Sequence, residues 1–171
     1  MKAKVKLLLL LTVVLLIMGG CVKVEALPEF EMYEKSSLHI AVIGEKPVVR
    51  EKNIEFTSIT FDDLQNVEEY DAVFITKENL EEADQPEYAS IYTSSSRPFL
   101  FIGTTKSYVP FVDEEISLDE FPDVESGMYA YLYDQSSEQY WGYGLYNDIV
   151  NEKTIQEAYS RIFKTIEELS M

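Results

Sequence analysis

The run Leu38-His39-Ile40-Ala41-Val42-Ile43, ended by Gly44, decides the fold of this chain. Apart from His39, every residue of the run is apolar, and the polar–apolar alternation of a half-exposed strand is missing. A short uninterrupted run of this kind is typical of a strand that is buried on both faces. The run therefore predicts the first buried strand of a larger sheet.

Three later segments also have strand character, and they are residues 54–59, 71–76 and 99–102. Polar connections separate them, and residues 80–94 suit a helix that a proline breaks or kinks at Pro86. Strand, crossover and strand in repetition indicate an α/β sheet that is mostly parallel.

The second half of the chain has a different pattern. Residues 128–133 and 140–146 flank a polar loop and predict an antiparallel hairpin at the edge of the sheet. Apolar residues then recur at helical spacing over residues 155–169, with Asn151 or Thr154 as the N-cap. This pattern predicts a C-terminal amphipathic helix that packs on one face of the sheet.

The connections between the first three strands limit the fold class. Residues 45–53 and 62–70 are short for full crossover helices, which need a dozen or so residues. We therefore expect a small three-layer, flavodoxin-like or Rossmann-like sheet with the hairpin and the helix added. A fold of this class does not by itself identify a function.

The first 21 residues form a segment of another kind. Three lysines come before residue 7, residues 7–18 are an apolar run, and Gly19-Gly20 stand before Cys21, the only cysteine. This order is that of a cleaved secretory signal, and the run is short for a bilayer-spanning helix of about 20 residues. An ordinary secretory signal and an uncleaved anchor are the alternatives.

With the cysteine at the cut, the segment resembles a bacterial lipoprotein signal, although Met18 stands where such signals prefer leucine. The resemblance implies that residues 1–20 are removed and that the thiol of Cys21 is acylated, with two lipid chains held stably in the membrane. Residues 21–37 would be the lipidated cysteine and a tether, and residues 38–171 one extracytoplasmic α/β domain. An alternative is that Phe30, Met32 and Tyr33 add an edge strand.

The charge of the chain excludes some partners. The net charge of −17 would become −20 once the three lysines of the signal are removed. Such a surface repels nucleic-acid backbones and anionic lipid headgroups, so we expect no nucleic-acid binding and a domain that stands off the membrane. With Cys21 committed to the lipid, no disulfide forms within the chain.

Catalytic and cofactor motifs are missing from the sequence. His39 is the only histidine and lies within a strand, where we expect a structural role, and no Gly-x-Ser-x-Gly elbow is present. One histidine and one lipidated cysteine do not make a zinc site. Neither a dinucleotide-binding nor a Walker-type glycine loop occurs, so we expect no cofactor.

Carboxylates are the abundant reactive groups. Seven lie between residues 112 and 125, and they are Asp113, Glu114, Glu115, Asp119, Glu120, Asp123 and Glu125. The spaced calcium-loop pattern is missing, so we interpret them as a solvated acidic loop. Paired carboxylates for glycoside hydrolysis remain an alternative, since the sequence does not single out a pair.

Lysines follow three of the predicted strands, in the turns that contain Lys46, Lys77 and Lys106. If the strands are parallel, the three turns meet at the carboxyl edge of the sheet, where open α/β sheets bind ligands. Together with Thr104 and backbone N–H groups, these lysines predict an anion site. The alternative is that the neighbouring Glu45 and Glu78 cancel the charge.

The hairpin is rich in aromatic residues. Tyr129, Tyr131 and Tyr133 should share one face of the first strand, and Trp141 and Tyr143 one face of the second. We expect this ladder to cover the core beneath the last helix, the alternative being an exposed platform for a sugar or a protein.

Three functions are consistent with the sequence. The first is a lipid-anchored, extracytoplasmic binding or accessory module at the cell surface, serving a membrane-protein or envelope partner and without evident catalysis. The second is a small carboxylate-dependent hydrolase acting on envelope polysaccharide. The third is a structural spacer without a ligand. The missing catalytic motifs favour the first.

Overall fold

Six strands form one mixed sheet in the computed structural model, which describes residues 27–124 and 127–171. The strands are β1 Leu38–Ile43, β2 Ile54–Ser58, β3 Ala72–Ile75, β4 Phe99–Ile102, β5 Met128–Asp134 and β6 Gln139–Gly144. Their order is β2-β1-β3-β4-β5-β6. The first four strands run parallel to one another, and β5 pairs antiparallel with both β4 and β6. The predicted α/β sheet with an added hairpin is confirmed.

Strand β1 lies inside the sheet, between β2 and β3. Ile40 and Val42 belong to the core on one face, and Ala41 and Ile43 to the core on the other. All four are at most 3% exposed. The uninterrupted apolar run is thus explained, because neither face of this strand meets water.

Four α-helices of the described residues accompany the sheet, and they are α1 Leu80–Ala83, α2 Pro86–Tyr92, α3 Val109–Val112 and α4 Glu152–Leu169. Helices α1 to α3 contribute to the core on the Ala41 face, and α4 to the core on the Ile40 face. Pro86 occupies the first turn of α2, so residues 80–94 form two short helices rather than one. Among the described helices, none combines the length and the apolar character needed to cross a membrane.

The long helix α4 begins at a capped residue. The Asn151 side chain accepts a hydrogen bond from the Thr154 N–H at 3.0 Å, and the Thr154 hydroxyl oxygen accepts one from the Asn151 N–H at 3.2 Å. Its apolar side packs on the sheet, with the ring of Phe163 stacked 6.3 Å from that of Phe74. The predicted amphipathic C-terminal helix is confirmed, with Asn151 as its N-cap.

The connection between β1 and β2 has no helix. Its Val49 packs against the core beneath α4, and its Glu51 side chain is fully buried. The hydroxyl of Ser160, in the middle of α4, donates a short hydrogen bond to this carboxylate. Since the connection is too short for a helix of its own, α4 covers this face of the sheet instead.

Residues 27–37 run along α4, and we call this segment the N-terminal strap. Near its start, the Lys153 ammonium donates to the carbonyl of Leu27 at 3.3 Å. Near its end, the Ser36 hydroxyl donates to Glu167 at 2.8 Å, and the Lys35 ammonium lies 3.0 Å from the same carboxylate. The strap therefore passes from the first to the last turn of α4 before it enters β1.

Side chains of the β1–β2 connection fix the middle of the strap. Arg50 donates to the carbonyls of Phe30 at 3.1 Å and Glu31 at 2.5 Å, and Tyr33 is only 5% exposed. The strap forms no strand, so the alternative of an added edge strand is wrong. The backbone groups of the strap bond to side chains and not to β2. Of the predicted tether at residues 21–37, the part from residue 27 lies on the domain, and residues 21–26 fall outside the described ranges.

The turns after β1 and β3 touch each other at the carboxyl edge of the sheet. Gly44 has a φ of +109°, and a Cβ atom there would lie 1.9 Å from Thr76 Oγ1 and 2.5 Å from Asn79 Nδ2. Only glycine satisfies both the backbone conformation and the close approach.

Replacing Glu167 by Gln should remove a pH-dependent part of the stability. Burial alone would raise the pKa of Glu167, but hydrogen bonds from Lys35 and Ser36 outweigh it and hold the pKa below its ordinary 4.5. A carboxylate whose pKa is lower in the folded state than in the unfolded state stabilises the fold at a pH above its unfolded-state pKa. This stability is lost as the pH falls through the folded-state pKa. Urea unfolding should show the wild-type chain more stable than Glu167→Gln at neutral pH, with the difference closing below about pH 4.

The exposed neighbour provides the control, because Glu168 has no hydrogen bond or ion pair among the described residues. Glu168→Gln should unfold like the wild type across this range. A stability difference for Glu167→Gln that is the same at every pH would contradict the assignment.

Replacing Gly44 by Ala should destabilise the chain by about 2–4 kcal/mol, since a strained backbone and an overpacked contact add together. Gly144→Ala is the matched control, because a Cβ at Gly144 would have its nearest neighbour at 3.8 Å. Urea unfolding measures both variants, and equal stability of the two would show that the contact with Thr76 does not constrain the edge.

Candidate functional site

A cleft of about 730 Å³ opens at the carboxyl edge of the sheet, and we call it the carboxyl-edge cleft. Lys46 lines it from the turn after β1, Thr76 and Lys77 from the turn after β3, and Gly103 from the turn after β4. Ile155, in the first turns of α4, lines the facing wall. Three strand ends and one helix therefore build a single concavity.

The strand order explains why the cleft lies there. From β1 the chain passes to β2 on one side and then returns to β3 on the other. Connections on opposite faces of the sheet diverge at such a reversal and leave a crevice outside the strand ends. The cleft lies at this point, on the face that α4 covers.

Two of the predicted lysines line the cleft. Lys77 is exposed and has neither an ion pair nor a hydrogen bond among the described residues. Lys46 is also exposed, but its ammonium donates to the carbonyl of Phe56 at 2.6 Å. Glu45 and Glu78 line the cleft beside them. Lys77 is therefore the cation that is available to a ligand.

The other two predicted residues do not line the cleft. The Lys106 ammonium donates to the carbonyl of Phe121 at 2.6 Å and lies 3.2 Å from the carboxylate of Asp123. Thr104 is buried, and its hydroxyl oxygen accepts a hydrogen bond from the Lys106 N–H at 3.0 Å. The predicted cluster of three lysines thus becomes two, because the acidic loop that follows β4 holds the third.

In the acidic loop, residues 112–125 of the sequence, the carboxylate of Asp123 interacts with the neighbouring turn after β4. Hydrogen bonds from Thr105 and Lys106 hold the pKa of Asp123 below its usual value. Among the described residues, which exclude Glu125, no three His, Cys, Asp or Glu side chains gather as metal ligands. The contacts of Asp123 with Thr105 and Lys106 hold the loop against the turn after β4.

Two tyrosines form the inner wall of the cleft. The hydroxyls of Tyr129 and Tyr159 lie 3.1 Å apart, with their rings perpendicular. Burial raises the pKa of both phenols, so both hydroxyls stay protonated at neutral pH. One of the two hydroxyl hydrogens lies between the oxygens, so the two side chains are held together.

The sequence does not reveal this pair. A bulge in β5 between Met128 and Ala130 places Tyr129 on the α4 face, whereas Tyr133 stacks on Tyr108 on the opposite face. The prediction that Tyr129, Tyr131 and Tyr133 share one face is therefore wrong. No feature of the sequence marks the bulge, since the tyrosines alternate as in a regular strand.

The second strand of the hairpin follows its prediction. Trp141 and Tyr143 both pack against the core beneath α4, and Tyr143 is 4% exposed. Most of the ladder therefore covers the core, although Tyr140 on the other face of β6 is 56% exposed and stacks on Tyr108.

His39 lies in β1, near its amino end and away from the cleft. Its Nε2 shares a hydrogen bond of 2.8 Å with Thr57 Oγ1, and its ring packs edge-on against Tyr70 at 4.8 Å. These contacts join β1 to β2 and to the loop before β3, as expected of a histidine that packs within a sheet.

The lining defines what the cleft can hold. Ile102 and Ile155 supply apolar surface, the tyrosine pair supplies aromatic surface, and Lys77 offers a positive charge. These groups suit a small molecule with an apolar or ring part and an anionic or acceptor group at one end.

No protein-family model, no curated protein and no solved structure matches this chain. The function is therefore inferred from the residues of the chain and from their geometry.

Proposed function

We propose that this protein is a lipid-anchored, extracytoplasmic binding or accessory module, held in the membrane by lipid on Cys21, and that the carboxyl-edge cleft is its ligand site. The observation that carries the ligand site is the cleft itself, which lies at the strand reversal and contains Lys77, a cation without a partner in the described part of the chain. The first 21 residues, which resemble a lipoprotein signal, support the proposed lipid anchor and the extracytoplasmic location.

We also propose that the domain is a reduced flavodoxin-like three-layer sheet. The order β2-β1-β3-β4-β5 is that of flavodoxin-like doubly wound sheets. The β1–β2 connection and α4 contribute to one core and α1 to α3 to the other, which supports the assignment. A loop replaces the first helix of that arrangement, because the β1–β2 connection is short.

Binding is better supported than hydrolysis. Glycoside hydrolysis requires a carboxylic acid with a raised pKa that faces a second carboxylate across a substrate cleft. Burial raises the pKa of Asp84, but this carboxylate accepts a hydrogen bond from the Leu118 N–H at 2.7 Å and lies outside the cleft. The lining instead supplies groups that hold a ligand in place.

The net charge of the chain and its proposed location at the membrane indicate which partners it has. The membrane is the first, through the lipid, and a membrane protein or an envelope component is the proposed second. The net charge of −17 opposes binding to nucleic acid, whose phosphates are also negative.

Replacing Cys21 by Ser should abolish attachment of the lipid. Without a thiol to acylate, the chain should be released as soluble protein or remain as an uncleaved precursor. Membrane fractionation after an alkaline wash measures the partition, and mass spectrometry of the wild-type protein should find lipid on Cys21 at the new amino terminus.

Met18→Leu is the matched control, because it introduces the preferred residue three positions before the cysteine and should leave anchoring intact. An unmodified Cys21 in protein taken from native membranes would refute the lipid anchor.

Replacing Lys77 by Gln should remove stabilisation of the domain by anions. Phosphate and glucuronate, the second with a sugar ring as well as a carboxylate, are the probes. A ligand at about tenfold its Kd stabilises by about 1.4 kcal/mol, which is about 3–6 °C in Tm for a domain of this size. Thermal unfolding with and without each probe should show this shift for the wild type and its loss for Lys77→Gln.

Lys52→Gln removes an exposed lysine outside the cleft and should keep the shift. A shift that survives Lys77→Gln, or that Lys52→Gln removes equally, would show that the anion acts on the overall charge. No shift for either probe in the wild type would reject the cleft as an anion site.

A further inference from the structure

The N-terminal strap joins the rest of the domain at the same end as the carboxyl-edge cleft. The Leu27 carbonyl accepts its hydrogen bond from Lys153, and the Lys153 ammonium lies 5.7 Å from the centre of the Phe30 ring. Lys153 belongs to the first turn of α4, next to Glu152, which lines the cleft. Chain that comes from Cys21 therefore reaches the domain at the carboxyl edge.

The connection from Cys21 to Leu27 is short. Six residues span at most about 20 Å when fully extended, whereas the 18 residues of α4 extend for about 27 Å. A lipid on Cys21 would therefore keep the first turn of α4 closer to the bilayer than the far end of the helix.

Exposed apolar side chains gather at this same end. Val48 is 75% exposed and lines the cleft, and Val150, one residue before the N-cap of α4, is 77% exposed. Ile149 and Tyr146, which are 39% and 40% exposed, precede it, and Tyr146 packs against Phe30 at 5.3 Å. We call Val48, Tyr146, Ile149 and Val150 the apolar rim.

The rim contains half of the exposed large apolar side chains among the described residues. The other four are Met32, Val124, Tyr140 and Met171. Met32 lies farther along the strap, Tyr140 is in β6, and Met171 follows the far end of α4. Val124 is in the acidic loop, where its N–H donates to the carbonyl of Thr105 at 2.9 Å. A cluster of this kind marks a contact surface where single exposed residues would not.

We propose that the apolar rim docks on the surface of the membrane that holds the Cys21 lipid, so that the carboxyl-edge cleft faces the bilayer. The proposal rests on the lipid anchor of the proposed function and adds an orientation to it. It replaces the expectation that the acidic domain stands off the membrane. The lipid fixes which end approaches, and the rim supplies apolar surface that enters the interface.

Charge limits which lipids the rim accepts. Lys46, Lys77 and Lys153 at this end are interspersed with acidic residues such as Glu45 and Glu152, so the end offers no basic block for anionic headgroups. The net charge, which is −17 for the full chain and −20 without the three lysines of the signal, adds repulsion from an anionic surface. Docking should therefore be stronger on phosphatidylcholine vesicles than on vesicles that contain phosphatidylglycerol.

The test attaches the chain to vesicles independently of cellular lipidation. Cys21 is the only cysteine, and the chain from Cys21 onward is the mature form under the proposed function, so it can be coupled to a maleimide lipid through this thiol. In a Trp141→Phe background, Val150→Trp places a fluorophore in the rim. Met171→Trp, at a residue that is 91% exposed at the other end of α4, is the matched control.

Brominated phosphatidylcholine in the vesicles measures contact with the bilayer. Since interfacial side chains reach about 5–10 Å into the headgroup–acyl boundary, Val150→Trp emission should be quenched at least about threefold more than Met171→Trp emission. Adding Val48→Ser and Ile149→Ser should reduce the quenching at position 150. These two residues are exposed or partly exposed, and circular dichroism checks that the fold is kept.

Equal quenching at both positions, or none at either, would overturn the docking. Quenching at position 150 that the serine substitutions leave unchanged would also overturn it, because the rim would then contribute nothing. A failure of cellular lipidation would be seen by mass spectrometry of the native protein and would leave this result unaffected, so the two proposals can fail separately.

Discussion

The burial of β1 on both faces is the constraint on which the rest of this structure depends. A strand whose every side chain is apolar or packed needs cover above and below, because exposure of such side chains costs about 25 cal/mol per Å² of apolar surface. On one face, the connections after β2, β3 and β4 supply that cover. On the other, the β1–β2 connection is too short for a helix, so the cover has to come from the far end of the chain. Helix α4 provides it.

The position of α4 in turn shapes the cleft and the path of the strap. Its first turns lie beside the ends of β1, β3 and β4, which turns an open sheet edge into a concavity, and Tyr159 of the helix meets Tyr129 of the bulged strand there. The helix also provides the surface along which the strap runs. One element thus brings the candidate ligand site and the approach of the proposed anchor to the same end of the domain.

Sequence patterns predicted the features that depend on local chemistry. The buried run of β1, a break or kink at Pro86 and a cap at Asn151 or Thr154 were predicted, because burial, proline geometry and capping act over a few residues. The location of a cleft at the carboxyl edge also followed, since it depends on parallel strands and not on side-chain detail.

Features that depend on distant partners were not predictable in this way. Lys106 looks like Lys77 in the sequence, but Asp123, seventeen residues further along, holds it away from the cleft. The bulge that places Tyr129 on the α4 face cannot be recognised in the sequence, because the tyrosines of β5 alternate as in a regular strand. The strap has no pattern of its own either, because the side chains of Arg50 and Glu167 bind it mainly through its backbone groups and Ser36.

The buried polar group beneath the strap explains why the strap follows one path. The Glu51 side chain is fully buried, one of its oxygens accepts from Ser160, and the other has no hydrogen-bond partner among the described residues. An apolar side chain would fill this position at lower cost, since buried charge is expensive even when it is paired. The carboxylate nevertheless lies 3.7 Å from Arg50, whose guanidinium also bonds Ser160 and two strap carbonyls. Apolar packing tolerates sliding, whereas these directional bonds fix the register between strap, connection and helix. We infer that the buried charge costs stability and in return fixes where the chain leaves the domain.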